Sequence, residues 1–223
     1  MAGELESVDV GEGLERRRHR HWYDRLMMLC DGVFAIAITL LATEVRAPQV
    51  WSGDWSGLWG PLASQLDAYA MSFLVISVYW LAHRRFMAMI LAVDATMTVI
   101  TLVVLGLVAL LPAATRLIST HSVYPLARLV YASLVVAIGL AMASLWGYAA
   151  LVSKVVSPEV RAGPRWFILV LILFTPPFFL LLTLGVPDAG PGVMPIGLSL
   201  LFLVGWRLRR WTIQRLGGKG HHG

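Results

Sequence analysis

The sequence predicts an all-α integral membrane protein with six transmembrane helices per chain, on three observations. First, 58% of the 223 residues are hydrophobic and 14% are charged, with a mean hydropathy of +0.73. Soluble domains hold about 45–50% and about 25%. Second, apolar runs recur at close to the roughly 20 residues that carry a helix across a hydrocarbon core of about 30 Å. Third, nearly all the basic residues fall on one side once those runs are threaded alternately across a bilayer. The composition excludes a soluble enzyme, a disulfide-rich secreted domain and a disordered tail. Cys30 is the single cysteine, which excludes an intrachain disulfide and leaves no cysteine-based metal site.

The elements follow in order. Residues 1–24 are a polar segment, acidic first (Glu4, Glu6, Asp9, Glu12, Glu15) and then basic (Arg16, Arg17, Arg18, Arg20). The first span, 26–45, is broken only by Asp31 and Glu44. It exceeds the h-region of a signal peptide, about 7–15 residues, and lacks a small-residue cleavage site, so it reads as a spanning helix. Residues 47–60 are turn-rich, and Trp51, Trp55 and Trp59 suit an interfacial loop. A second span covers 62–83 and ends in His83-Arg84-Arg85; a third, 93–114, is interrupted near its end by Pro112. The fourth, 126–151, closes before Lys154 and Ser157-Pro158. The fifth, 166–186, is kinked by Pro176-Pro177, and the sixth, 193–206, is short, with Trp206 and Trp211 as anchors. Residues 25–211 thus form one six-helix membrane domain without internal repeats, and 212–223 form a tail.

With the N-terminus cytoplasmic, fifteen of the eighteen Lys and Arg residues lie inside, and Arg46, Arg116 and Arg128 lie outside. The positive-inside rule therefore places both termini in the cytoplasm and favours an even number of spans. The net charge of +5 and the pI near 9.8 are explained by topology. No nucleic-acid partner is required, and the terminal Lys219-Gly-His-His-Gly reads as a solvated tail.

The first helix holds the chemistry. An ionisable residue inside a span is a functional-site hypothesis by default, and Asp31 lies there. At about 100° per residue, Ile36, Thr39, Leu40 and Thr43 form one stripe, and Asp31 falls roughly 140° from Ile36. If the stripe faces a pore, Asp31 faces neighbouring helices; if Asp31 faces a water path, the stripe packs against those helices. Periodicity alone favours ordinary helix packing for the stripe, and a paired structural carboxylate that fixes helix docking is favoured for Asp31 over a proton carrier.

The string Arg25-Leu-Met-Met-Leu-Cys-Asp31-Gly32-Val-Phe34-Ala-Ile36-Ala-Ile38-Thr39-Leu40-Leu41 resembles the first-helix signature of the transmembrane protein 175 family. Those are the endolysosomal potassium channels and their prokaryotic relatives. Leu29 stands where the family has Phe, and Cys30 where it has Ser. The exit Glu44-Val45-Arg46-Ala47-Pro48 is similar to the family's, as are Tyr69, Ser72-Phe73, Tyr79-Trp80 and His83-Arg84-Arg85-Phe86 in the second helix. Asp94 and the run to Leu110-Leu111-Pro112-Ala113-Ala114-Thr115 resemble the third. The likeness covers roughly residues 25–117.

That resemblance implies a homotetramer around a central pore lined by the first helix, conducting potassium with modest preference over sodium in the plasma membrane. It implies a hydrophobic constriction at Ile36, a hydroxyl ring at Thr39 passed transiently by K+, and further layers at Leu40 and Thr43. Thr43 stands where the family's layer is usually apolar. Asp31 would then face inward, towards His83 and Trp80, with Arg25 joining that cluster or lining the cytoplasmic mouth. No cofactor or fixed metal is implied. A carbonyl filter uses Thr-Val-Gly-Tyr-Gly; Thr183-Leu184-Gly185-Val186 has no Tyr-Gly after it, so selectivity falls to side chains.

A proton-coupled transporter or proton path built on Asp31, His83 and Asp94 is the competing reading, supported by helix-interrupting prolines at Pro112 and Pro176-Pro177. An intramembrane enzyme finds no recognisable catalytic motif.

Overall fold

The structure is a computed structural model that describes residues 2–48, 51–121, 123–153 and 155, with side chains from His21 onward, Pro61 apart. The described chain is helical: α1 (Ala2–Thr43), α2 (Trp55–Met87), α3 (Ala95–Ala109), α4 (Leu111–Thr120), α5 (Pro125–Gly147) and a π-helical turn, Tyr148–Val152. Among the described residues, four segments are long and apolar enough to cross a membrane: His21–Thr43, Trp55–Met87, Ala95–Thr120 and Pro125–Val152. They correspond to the first four expected spans. The expected fifth and sixth spans, 166–186 and 193–206, and the tail 212–223 lie outside the described residues.

Two boundaries differ from expectation, and one expected break is present. The first helix runs back through the acidic and basic segment to Ala2 instead of starting near residue 26. The second starts at Trp55, so Trp55 and Trp59 stack within α2 at 6.0 Å and only Trp51 stays in the loop. The reason is local. Asp54 is extended and its carboxylate accepts from the Gly57 amide at 3.0 Å and from the hydroxyls of Ser52 and Ser56, closing the first turn. The Ser56 hydroxyl and the Gly57 amide hold its carboxyl below the usual carboxylate range. A Cβ at Gly57 would come within 2.9 Å of that carboxylate. The third span breaks where proline chemistry says it should. α3 ends at Ala109, and α4 restarts at Leu111 with Pro112 in its first turn, where the missing N–H costs least.

α5 packs against α3 and α4, and α1 packs against α2 and α3. Lipid tails are as apolar as leucine, so close packing and interhelical hydrogen bonds must hold such helices together. Both are present. Tyr131, Ile138, Met142 and Trp146 of α5 are fully buried against Leu41, Met71, Ile76 and Leu111 of the other helices. Thr115 Oγ1 lies 2.7 Å from Ser72 Oγ, and Ser72 Oγ lies 3.1 Å from the Tyr131 hydroxyl, tying α2, α4 and α5 together. The Tyr79 hydroxyl donates to the Val135 carbonyl at 2.9 Å.

Candidate functional site: the exposed face of α1 and its polar anchor

Two faces divide α1. Leu26, Cys30, Phe34, Ala37 and Leu41, spaced by four, four, three and four residues, are buried in the subunit core. The opposite face holds Arg25, Leu29, Gly32, Ile36, Thr39, Leu40 and Thr43, all exposed. Ile36 is 59% exposed and Leu40 46%. The stripe found by periodicity therefore points away from the subunit's own core, and Ile38, two residues along, packs partly buried against that core. The Thr39 hydroxyl donates to the Ile36 carbonyl at 2.9 Å and the Thr43 hydroxyl to the Leu40 carbonyl at 2.7 Å. Each threonine has thus used its one proton on its own helix, and its oxygen keeps lone pairs for other company.

Asp31 is half-buried, and Trp80 of α2 donates its indole N–H to Asp31 Oδ1 at 2.8 Å. Arg84, one turn further on, lies over the Trp80 ring at 5.2 Å from its centre. This carboxylate joins two helices. Asp31 and His83 form no hydrogen bond or ion pair, although the Asp31 charge acts on the imidazole. The helices run antiparallel, so Trp80 meets Asp31 while His83 meets Cys30: His83 Nε2 lies 3.9 Å from the Cys30 sulfur. The buried Nδ1 of His83 has no hydrogen-bond partner among the described residues. Phe34 flanks the imidazole, ring centres 5.9 Å apart. Arg25 is exposed, on the same face of α1 as Ile36 and Thr39.

Asp94, the third carboxyl or imidazole of the proton-path reading, serves as the N-cap of α3. Its carboxylate accepts from the Met97 amide at 2.7 Å and from the Tyr148 hydroxyl at 2.8 Å, and forms no bond with Asp31 or His83. Two contacts at the C-terminal end of α1 were not anticipated. Glu44 Oε2 lies 3.6 Å from Arg116 Nε, and the Arg46 amide donates to Gln65 Oε1 at 2.7 Å. Glu44 and Arg116 both sit at the same end of their spans, which was visible in the sequence; their pairing across 72 positions was not.

The geometry has counterparts among known proteins. The family model described as endosomal/lysosomal potassium channel TMEM175 matches residues 25–112, which include the exposed stripe, Asp31, Trp80 and His83. A potassium channel of Streptomyces collinus is 33% identical over 145 residues, covering 62% of this chain and 69% of its own length. The chain belongs to the TMEM175 family. A second family member, a potassium channel of Chamaesiphon minutus, is 33% identical over 141 residues, 60% of this chain and 70% of that one. The human endosomal/lysosomal proton channel TMEM175 is 28% identical over 154 residues, which are 69% of this chain and 30% of the human protein. Among solved structures, the crystal structure of a lysosomal potassium-selective TMEM175 homolog from Chamaesiphon minutus superposes with a TM-score of 0.65 and 27% identity. It covers 85% of this chain and 98% of that one. The all-helical membrane fold of this chain is therefore that of a TMEM175 channel.

Proposed function

We propose that this TMEM175-family chain is one of four identical subunits of a potassium-permeable cation channel in the plasma membrane, with both termini cytoplasmic. The pore would be lined by Ile36, Thr39, Leu40 and Thr43. One observation carries the reading: α1 buries one face completely and leaves an apolar-and-hydroxyl stripe turned away from its own core. Potassium-channel relatives of Streptomyces and Chamaesiphon, matched across this helix, support it.

The mechanism follows from the side chains. Four Ile36 side chains at the axis narrow the path and disfavour bulk water, so an ion must shed part of its hydration. Potassium holds its shell less tightly than sodium and loses it at lower cost. Thr39, with its proton already given to the Ile36 carbonyl, offers oxygen to the partly dehydrated ion as it passes. Side-chain hydroxyls replace a hydration shell less completely than rings of carbonyls, so preference for potassium is modest. Asp31 stays off this path, bonded to Trp80, and fixes the rotation of α1.

The proton-path reading is favoured by one fact, that the human relative is named a proton channel. Currents of purified protein in planar bilayers separate the two. Under a potassium/sodium gradient at symmetrical pH the reversal potential should move towards the potassium potential. A reversal that ignores that gradient and follows an imposed pH gradient would assign the current to protons.

A further inference from the structure

The exposed stripe of α1 runs out into charge. Glu44 comes one residue after Thr43, and its amide still donates to the Leu41 carbonyl at 3.1 Å. Its side chain therefore leaves the helix about 40° round from Leu40, at the edge of the stripe. From α4, Arg116 reaches it, with Nε 3.6 Å from Glu44 Oε2. We propose, resting on the pore lining put forward for Ile36, Thr39, Leu40 and Thr43, that this ion pair sets the electrostatic potential at the mouth where α1 ends. Glu44 draws cations to that mouth, and the Arg116 charge limits how strongly they are held.

A structural staple is the plain alternative, and the geometry makes it a poor one. The Arg116 side chain is 56% exposed and that of Glu44 19%. An ion pair with one partner largely in water adds little to stability. The end of α1 is also held without it, by the Arg46 amide on Gln65 Oε1 at 2.7 Å and by the buried Leu41.

The carboxylate itself is better placed to act through its field. Glu44 Oε2 is buried and accepts no hydrogen bond among the described residues, so Arg116 meets it as a charge and not as a donor. A carboxylate oxygen withdrawn from water is weakly screened, and its field reaches further than that of a solvated one. The described charged side chains at this end of the bundle balance: Glu44, Asp54 and Asp67 against Arg46, Arg116 and Arg128. Asp54 caps α2, which leaves Glu44 as the acid that directly follows the stripe. Removing either member of the pair shifts the mouth by one charge per chain, and the two removals act in opposite directions.

The test is single-channel conductance of the full-length protein in planar bilayers, in potassium chloride at about 0.01 M and about 1 M, where the Debye length is about 30 Å and about 3 Å. At the low concentration Arg116→Gln should raise conductance at least about twofold, and Glu44→Gln should lower it by a similar factor. At the high concentration both differences should fade. The double variant should return close to the unaltered protein. Arg116→Lys keeps the charge and should match the unaltered protein, a comparison that stands even if Glu44→Gln fails to fold. Gln65→Ala removes the Arg46 link without changing charge and should leave the salt dependence alone. Shifts of the same sign in the two single variants, shifts that ignore salt, or an Arg116→Lys that behaves like Arg116→Gln overturn the proposal. An unaltered protein without potassium current brings down the channel reading and the role of the pair together. Conducting variants indistinguishable from the unaltered protein bring down the role of the pair alone.

Discussion

The two faces of α1 are almost equally apolar, and they differ in everything else. The buried face (Leu26, Cys30, Phe34, Ala37, Leu41) is bracketed by specific partners: the His83 ring against Phe34 and Cys30, and the Trp80–Asp31 bond at its flank. The exposed face (Leu29, Gly32, Ile36, Thr39, Leu40, Thr43) has hydroxyls that bond only to their own helix. In a soluble protein hydrophobicity would tell such faces apart. In a membrane it cannot, because lipid, protein core and a dry pore wall all accept Ile and Leu. What separates the faces is whether a polar group has been given a partner on another helix.

The strongest way to break this contrast is to put the same amide on each side. Ile36→Asn should wet the proposed constriction, so single-channel conductance should rise severalfold while the potassium/sodium permeability ratio falls. Bilayer recordings under one ionic gradient measure both, and unchanged permeation would mean that the exposed stripe does not line the pore. Next comes the anchor. Asp31→Ala strips the partly buried Trp80 of its acceptor at the α1–α2 contact, a loss of up to about 1–3 kcal/mol, the cost of a fully buried donor left unpaired. Assembly should suffer first, seen as loss of the tetramer peak on size-exclusion chromatography; normal tetramers with altered proton flux would move Asp31 into a conducting role.

Ile38→Asn is the counterpart of Ile36→Asn on the packed side. An amide without partners in the core costs about 1–3 kcal/mol, so thermal stability and expression should drop while permeation in the surviving channels stays the same. A changed permeability ratio there would reverse the two faces. The smallest effect belongs to Thr39→Val, which keeps the shape and removes the oxygen. Assembly should be normal, and only the potassium/sodium ratio should shift.

How much of this is legible in the sequence depends on how local each cause is. The first four spans are readable because about 20 apolar residues in a row suit little besides crossing a bilayer. The break near Pro112 is readable because proline acts on its own turn. Composition misplaces the start of α2 because three side chains, Ser52, Asp54 and Ser56, build a cap that outweighs the turn-like residues around them. Periodicity identifies Ile36, Thr39, Leu40 and Thr43 as one stripe but leaves its direction open, since rotation of a helix is set by contacts made elsewhere. Among those contacts are the packing of Leu26, Phe34 and Leu41 and the bond between Asp31 and Trp80, 49 positions apart. The meeting of Cys30 with His83, 53 positions apart, depends on how two helices dock and is not legible in either helix alone.

The threonine hydroxyls on the exposed face have one more consequence. Thr39 and Thr43 have each spent their only hydrogen on a backbone carbonyl, so what they turn outward is electron density without a donor. Chloride, which needs donors, would find none at Thr39 or Thr43. In the proposed pore, a ring of such oxygens would disfavour anions while carrying no formal charge, and so would admit the positive sign without a fixed carboxylate to trap the ion it attracts.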